Sequence, residues 1–232
     1  MSRVQQTETR PGDESYFYKQ KAAESISDEG LAFSHPNLKE ESLVKLVVIS
    51  IVMILGLSTW FTGSVTIEYF KDQYNVTSTV NSFLTVAVQV GYVINSIISA
   101  VLMLPDRFSP RTLIFVASCI GGVLNLLLVV SYQSIVVPIV LRTLTGFCMA
   151  LIFPNGIKFC YTWFLNNRSV ALGITTGAGV LGFALPNLFQ AFLDVKVEIL
   201  LGVTSGLSVL GGIIMLVFGK SGPFEEAASE FK

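Results

Sequence analysis

Arg142 is the residue whose chemistry stands out first. It lies in the stretch 134–156, which is otherwise apolar or weakly polar. If a helix begins near Ser134, Arg142 sits roughly 12 Å along its axis at about 1.5 Å per residue. A charge at that depth in hydrocarbon costs at least about 2.5–3.5 kcal/mol on insertion scales, so it must face a helical interior and find partners there. Two roles fit these facts. The guanidinium could bind a substrate or coupling group, with an anion favoured by charge, or it could be held by carbonyls and polar side chains to fix helix packing.

Other polar residues punctuate the apolar stretches: Trp60 and Thr62, Gln89 and Asn95, Asn125, and Asn187 with Gln190. Each could line a solute cavity or make an interhelical hydrogen bond, a contact that contributes about 1 kcal/mol or less in membranes. No Asp or Glu lies in the middle of an apolar stretch, since Glu68, Asp194 and Glu198 sit at edges, and the one histidine, His35, precedes them all. A proton relay in this part of the chain therefore lacks its usual groups. The sequence has no Ser-His-Asp set, no phosphate loop and no metal-like cluster, which argues against an enzyme and against a bound cofactor. Cys119, Cys148 and Cys160 are an odd set without metal spacing and read as small apolar packing residues.

The elements that must position these residues are plain in the hydropathy. Of 232 residues, 52% are hydrophobic and only 13% charged, with a formal net charge of -1 and a mean hydropathy of +0.66. A soluble domain carries about 25% charged residues. Such a balance offers nothing to nucleic acid. Six apolar segments, at about 43–67, 79–104, 111–132, 134–156, 169–193 and 197–219, each approach the roughly 20 residues that cross a bilayer. Continuous runs favour helices over a barrel, because lipid leaves no backbone group unpaired. The expected fold is thus an all-α membrane protein of six transmembrane helices over 43–219. Residues 1–45 hold six of the fifteen Lys/Arg and eight of the sixteen Asp/Glu, and the tail over 1–42 is expected to be disordered. Residues 220–232 form a C-terminal segment.

Basic residues in the short connections set the orientation. Arg107, Arg111, Lys158, Arg168, Lys220 and Lys232 fall on one side, against Lys71 and Lys196 on the other. The count puts both termini in the cytoplasm. Asn75-Val76-Thr77 is then an external glycosylation sequon close to the second segment, expected to be unmodified. Asn167-Arg168-Ser169 is a cytoplasmic sequon without effect.

Between the second and third segments the chain reads Leu104-Pro105-Asp106-Arg107-Phe108-Ser109-Pro110-Arg111. This resembles the cytoplasmic signature of the major facilitator superfamily, with Leu102 and Ser109 in place of its glycines and Pro110 at one basic position. Arg142-Thr143-Leu144-Thr145-Gly146-Phe147-Cys148 is similar to the family's Arg-x-x-x-Gly-x-Gly pattern. Trp163-Phe164, Arg168, Ala171-Leu172-Gly173, Gly177, Gly182 and Pro186 look like its fourth-to-fifth connection and glycine-studded fifth span.

The resemblance implies a half-bundle of two inverted three-helix repeats and a solute cavity drawn from spans one, two, four and five, hence Trp60, Gln89, Arg142 and Asn187. It implies a gating latch of Asp106, Arg107 and Arg111 with Arg168 as a second partner for Asp106. Gly146, Gly173, Gly177, Gly182 and Pro186 would serve helix packing or bending, with Gly173 and Gly177 four apart on one face. The family has two such halves. The expected partners are therefore the bilayer, a small solute (tilted by Arg142 toward an anion or amino acid) and a second six-helix half, either a continuation of the chain or a second copy. Gly222-Pro223 and Glu225, Glu226 and Glu230 resemble the start of the central linker, which favours a piece of a longer carrier. A non-transporting membrane protein that binds or regulates a full-length relative is the alternative.

Overall fold

The structure, a computed structural model, describes residues 36–66, 78–130, 136–164, 167–193 and 195–222. Residues 44–232 make one compact unit and 1–43 another, of which only the stretch from Pro36 is described. Both the Asn75 sequon and residues 1–35 lie outside the described residues, as do 223–232.

Among the described residues the fold is all helical. The elements are α1 (Pro36–Gly56), α2 (Thr62–Val65), α3 (Ser78–Val101), α4 (Leu104–Arg107), α5 (Pro110–Leu126, running on as a tighter turn to Val130), α6 (Val136–Met149), α7 (Phe153–Trp163), α8 (Arg168–Leu193) and α9 (Val197–Phe218). Among the described residues five stretches are long and apolar enough to cross a membrane: Ser82–Val101, Pro110–Val130, Val136–Trp163, Arg168–Phe192 and Val197–Phe218.

Three of the expected boundaries are corrected. The first helix begins at Pro36, seven residues inside the supposed tail. Proline is at home in a first helical turn. The first segment is also not one helix. It breaks at Leu57–Phe61, where backbone bonds tighten from Leu57 N–Met53 O to the shorter-range Ser58 N–Leu55 O and Trp60 N–Leu57 O. Ser58, Thr59 and Thr62 supply the cause, since hydroxyls compete with the helical ladder. The Oγ of Ser58 donates to the Leu55 carbonyl at 2.7 Å and that of Thr62 reaches the Thr59 carbonyl at 2.9 Å. Finally, the fourth segment extends past 156 to Trp163, bent at Ala150–Ile152 just before Pro154. A proline near the start of α7 tolerates its missing N–H, so Lys158 and Trp163 lie on a helix rather than in a loop.

α1 runs through the core. Ile49, Val52, Met53 and Leu57 are fully buried, and they pack with Ile152, Phe159, Ala178 and Met215 of the surrounding helices. Small residues allow the close approaches. α3 and α6 share the most extensive packing, followed by α5 and α9. A Cβ at Gly146 would land on the Val88 carbonyl, and one at Gly91 on the Thr143 carbonyl, so the two helices interlock backbone to backbone. Across this seam Asn95 Nδ2 donates to the Phe147 carbonyl at 2.6 Å. Gly182 is also close to its neighbour, with a Cβ falling 2.6 Å from the Ile54 carbonyl.

Gly173 and Gly177 behave otherwise. A Cβ at either meets nothing within 4 Å, so the close seam expected there is not made within this chain. Both lie on the outward face of α8 with the exposed Val170, Ile174 and Val180.

These contacts predict that Gly146→Leu abolishes folded, monodisperse protein on size exclusion, because overpacking costs about 1–3 kcal/mol or more where backbones touch. Gly173→Leu should elute and melt as the wild type does. Equal damage from both would contradict the packing described.

Candidate functional site

The break in the first segment is where the polar chemistry collects. Arg142, on α6, is 1% exposed and spends its guanidinium on that break. Nη1 donates to the Thr59 carbonyl at 2.9 Å and to Thr62 Oγ1 at 2.7 Å, Nη2 donates to the Trp60 carbonyl, and Nε points to the Leu84 carbonyl at 3.5 Å. Asn125 Oδ1 lies 3.5 Å from Nη1 and accepts from Thr62 Oγ1 at 2.8 Å. Its amide nitrogen donates to Thr204 Oγ1 at 3.2 Å and Ser205 Oγ at 3.0 Å. The amide is therefore oriented by its neighbours, oxygen toward the cation and nitrogen toward the hydroxyls of α9. Ser58 Oγ adds a link to the Thr204 carbonyl at 3.1 Å.

Trp60 faces the other way. Its ring is half-buried between Tyr92 of α3, with centroids 5.1 Å apart and planes at 73°, and Phe183 of α8, at 4.9 Å and 46°. Phe61 meets Phe183 edge-on at 6.5 Å. Such offset and edge contacts are the favoured geometries of aromatic pairs. Gln89, three residues before Tyr92, and Asn187, four after Phe183, are both exposed on those two helices. The amide oxygen of Asn187 is 3.4 Å from Ser64 Oγ. The break thus has two sides. One is sealed by Arg142, and the other presents aromatic rings with amides on the neighbouring turns.

Of the expected cavity set, the structure brings Trp60 and Arg142 together through one carbonyl, while Gln89 and Asn187 lie one turn from the Tyr92 and Phe183 that flank the Trp60 ring. The guanidinium itself is enclosed. Tyr92 and Phe183 were not singled out by sequence, although helical spacing from Gln89 and Asn187 places them on the same faces.

The expected latch residues gather at one end of the bundle. Asp106 Oδ1 meets Lys158 Nζ at 3.2 Å, and the same ammonium reaches the Pro105 carbonyl. Arg168 starts α8, donates from Nε to the Phe164 carbonyl at 2.9 Å and covers the Tyr161 ring. Arg107 is exposed and Arg111 half-buried at the start of α5. Lys158 was missed as a partner because the helix was expected to stop before it. At the same end Lys45 Nζ donates to the Phe218 carbonyl at 3.0 Å and lies 5.6 Å over the Trp163 ring. Trp163 Nε1 in turn donates to the Lys220 carbonyl at 3.0 Å, and Gly222 N donates to Thr162 Oγ1 at 3.0 Å.

Long apolar helices around a sealed polar centre that holds Arg142, with the other charges of the described residues gathered toward the ends, define a multi-pass membrane protein. Comparison with protein families matches residues 48–232 to the Major Facilitator Superfamily, and the chain belongs to that family of membrane transporters. Among curated proteins no match is found.

The buried network should matter more to stability than the partly exposed ion pair. Asn125→Leu, which removes its hydrogen bonds to Thr62, Thr204 and Ser205 and one oxygen beside Arg142, is expected to cost about 1–3 kcal/mol. Asp106→Asn should cost under about 1 kcal/mol. Thermal unfolding in detergent reads both, and the reverse order would contradict this weighting.

Proposed function

We propose that this chain forms one six-helix half of a secondary carrier, with the interrupted α1–α2 segment as its first span and a small solute bound against Trp60. The observation that carries the reading is the two-sided break. Arg142 fixes the Thr59 and Trp60 carbonyls from within the bundle, while the Trp60 ring bridges α3 and α8. Interrupted membrane helices at a repeat interface are where carriers of this general kind bind solute.

The solute meets rings and amides rather than the guanidinium. Tyr92, Phe183, Gln89 and Asn187 complement a molecule with both an apolar face and hydrogen-bonding groups, for which an amino acid is a fitting example. Alternating access then rocks this half, read as two inverted three-helix repeats, against a second one supplied by a longer chain or by a second copy. The exposed apolar faces of α3 (Val86, Val90, Val93, Ile97) and α8 (Val170, Ile174, Val180, Leu181) offer surfaces for that half and for lipid.

Orientation follows from charge. Lys45, Arg107, Arg111, Lys158, Arg168 and Lys220 cluster at one end, against Lys196 among the described residues at the other. That supports a cytoplasmic position for the Asp106 end and for both termini. There Asp106, Lys158 and Arg168, with Arg107 and Arg111 beside them, act as the gating latch.

A thermal-shift panel of amino acids, small carboxylates and sugars tests the site. A solute that raises the melting temperature of the wild type should lose most of that shift in Trp60→Ala. Gln89→Ala and Asn187→Ala, both at exposed positions, should weaken the shift several-fold while leaving the unliganded melting temperature unchanged. Full retention of the shift in all three variants would remove solute binding from this face.

A further inference from the structure

The oxygens around Arg142 have the composition of a metal-cation site. Five of them converge: the carbonyls of Thr59, Trp60 and Leu84, the Thr62 hydroxyl and the Asn125 amide oxygen. All five are neutral dipoles, and none is a carboxylate. A hard oxygen set without charge suits a monovalent cation, since divalent ions recruit carboxylates. Two of the carbonyls come from an interrupted membrane helix, the kind of backbone that coordinates coupling ions in other carriers. Thr62 and Asn125 are both fully buried, so the set is built into the bundle.

We infer that this is a monovalent-cation site whose occupant is tethered, the Arg142 guanidinium standing where an exchangeable coupling ion would otherwise bind. The shape of the occupant agrees. The guanidinium is a planar fork, and its three nitrogens each meet separate acceptors on α1–α2, α3 and α5. The positive charge is then permanent and cannot leave during a transport cycle. The break in the first segment is held in the same form whatever the ionic conditions, and this half binds solute without a metal ion at that position. The inference rests on the reading of the break as the solute-binding region, but the site itself is tested without solute or transport.

Arg142→Ala removes the tethered cation while keeping all five oxygen-bearing residues, so an added cation can take its place and restore the arrangement. Millimolar guanidinium chloride should raise the melting temperature of this variant by several degrees in a saturable way, as expected when a ligand binds only the folded state. Sodium chloride should raise it less, choline chloride should not raise it, and the wild type should show no saturable rise with any of them. Absence of a saturable response to both guanidinium and sodium would overturn the inference. If Arg142→Ala yields no folded protein, Arg142→Lys and Arg142→Met decide the matter. A cation site requires Lys to retain several-fold more monodisperse protein than Met, whereas equal recovery of the two shows that the position needs bulk and not charge. Loss of solute binding in Trp60→Ala has no bearing on either outcome, so the solute reading and the cation reading can fail separately.

Discussion

A buried guanidinium needs oxygen around it, and most of the oxygen offered to Arg142 comes from one interrupted piece of backbone. Carbonyls released from a helical ladder are costly in a membrane interior, as is an unmatched charge. Bringing the two together resolves both with one set of contacts. Everything else near the centre of the bundle depends on that match. It sets the direction in which the Trp60 ring leaves the chain. It orients Thr62 and Asn125, and through them joins α5 and α9 to the same residue. Elements far apart in sequence thereby meet at a single side chain on α6.

Around this centre the helices are drawn close by small residues rather than by apolar bulk, as expected where lipid is as apolar as any core side chain. Gly91 and Gly146 let α3 and α6 touch along their backbones, and Gly182 does the same for α8 against α1. α8 is the least uniform of the long helices. Pro186 removes the amide hydrogen that the Gly182 carbonyl would otherwise accept, one turn from the Phe183 ring that rests on Trp60. The tightest contact of that helix, its missing backbone bond and its contribution to the aromatic cluster therefore fall within a few residues.

Much of this was legible in the sequence, and the remainder was hidden for identifiable reasons. Apolar runs and the position of Arg142 pointed to membrane helices with one buried charge, because both signals are local. The sequence alone leaves two roles open for Arg142. Choosing between them needs the fate of its donors, and those end on carbonyls, which carry no mark in a sequence. The break at Leu57–Phe61 was concealed by continuous hydropathy. Its hydroxyls at Ser58, Thr59 and Thr62 are the sole hint. Gly173 and Gly177 show the converse. Their spacing suggests a close seam, but spacing names a face and not what lies opposite it. The pairing of Asp106 with Lys158 required knowing that α7 continues to Trp163.

The placement of the two tryptophans has a spectroscopic consequence. Trp60 lies in a half-buried aromatic cluster at the helix break, whereas Trp163 donates to the Lys220 carbonyl beneath the Lys45 ammonium at the charged end. A cation near an indole perturbs its electronic environment in a way that neighbouring rings do not. With only two indoles in the chain, its intrinsic emission is the sum of one signal from the centre of the bundle and one from its rim. Replacing either leaves a single-tryptophan protein, so the carrier holds two built-in optical probes of separate regions and needs no added label.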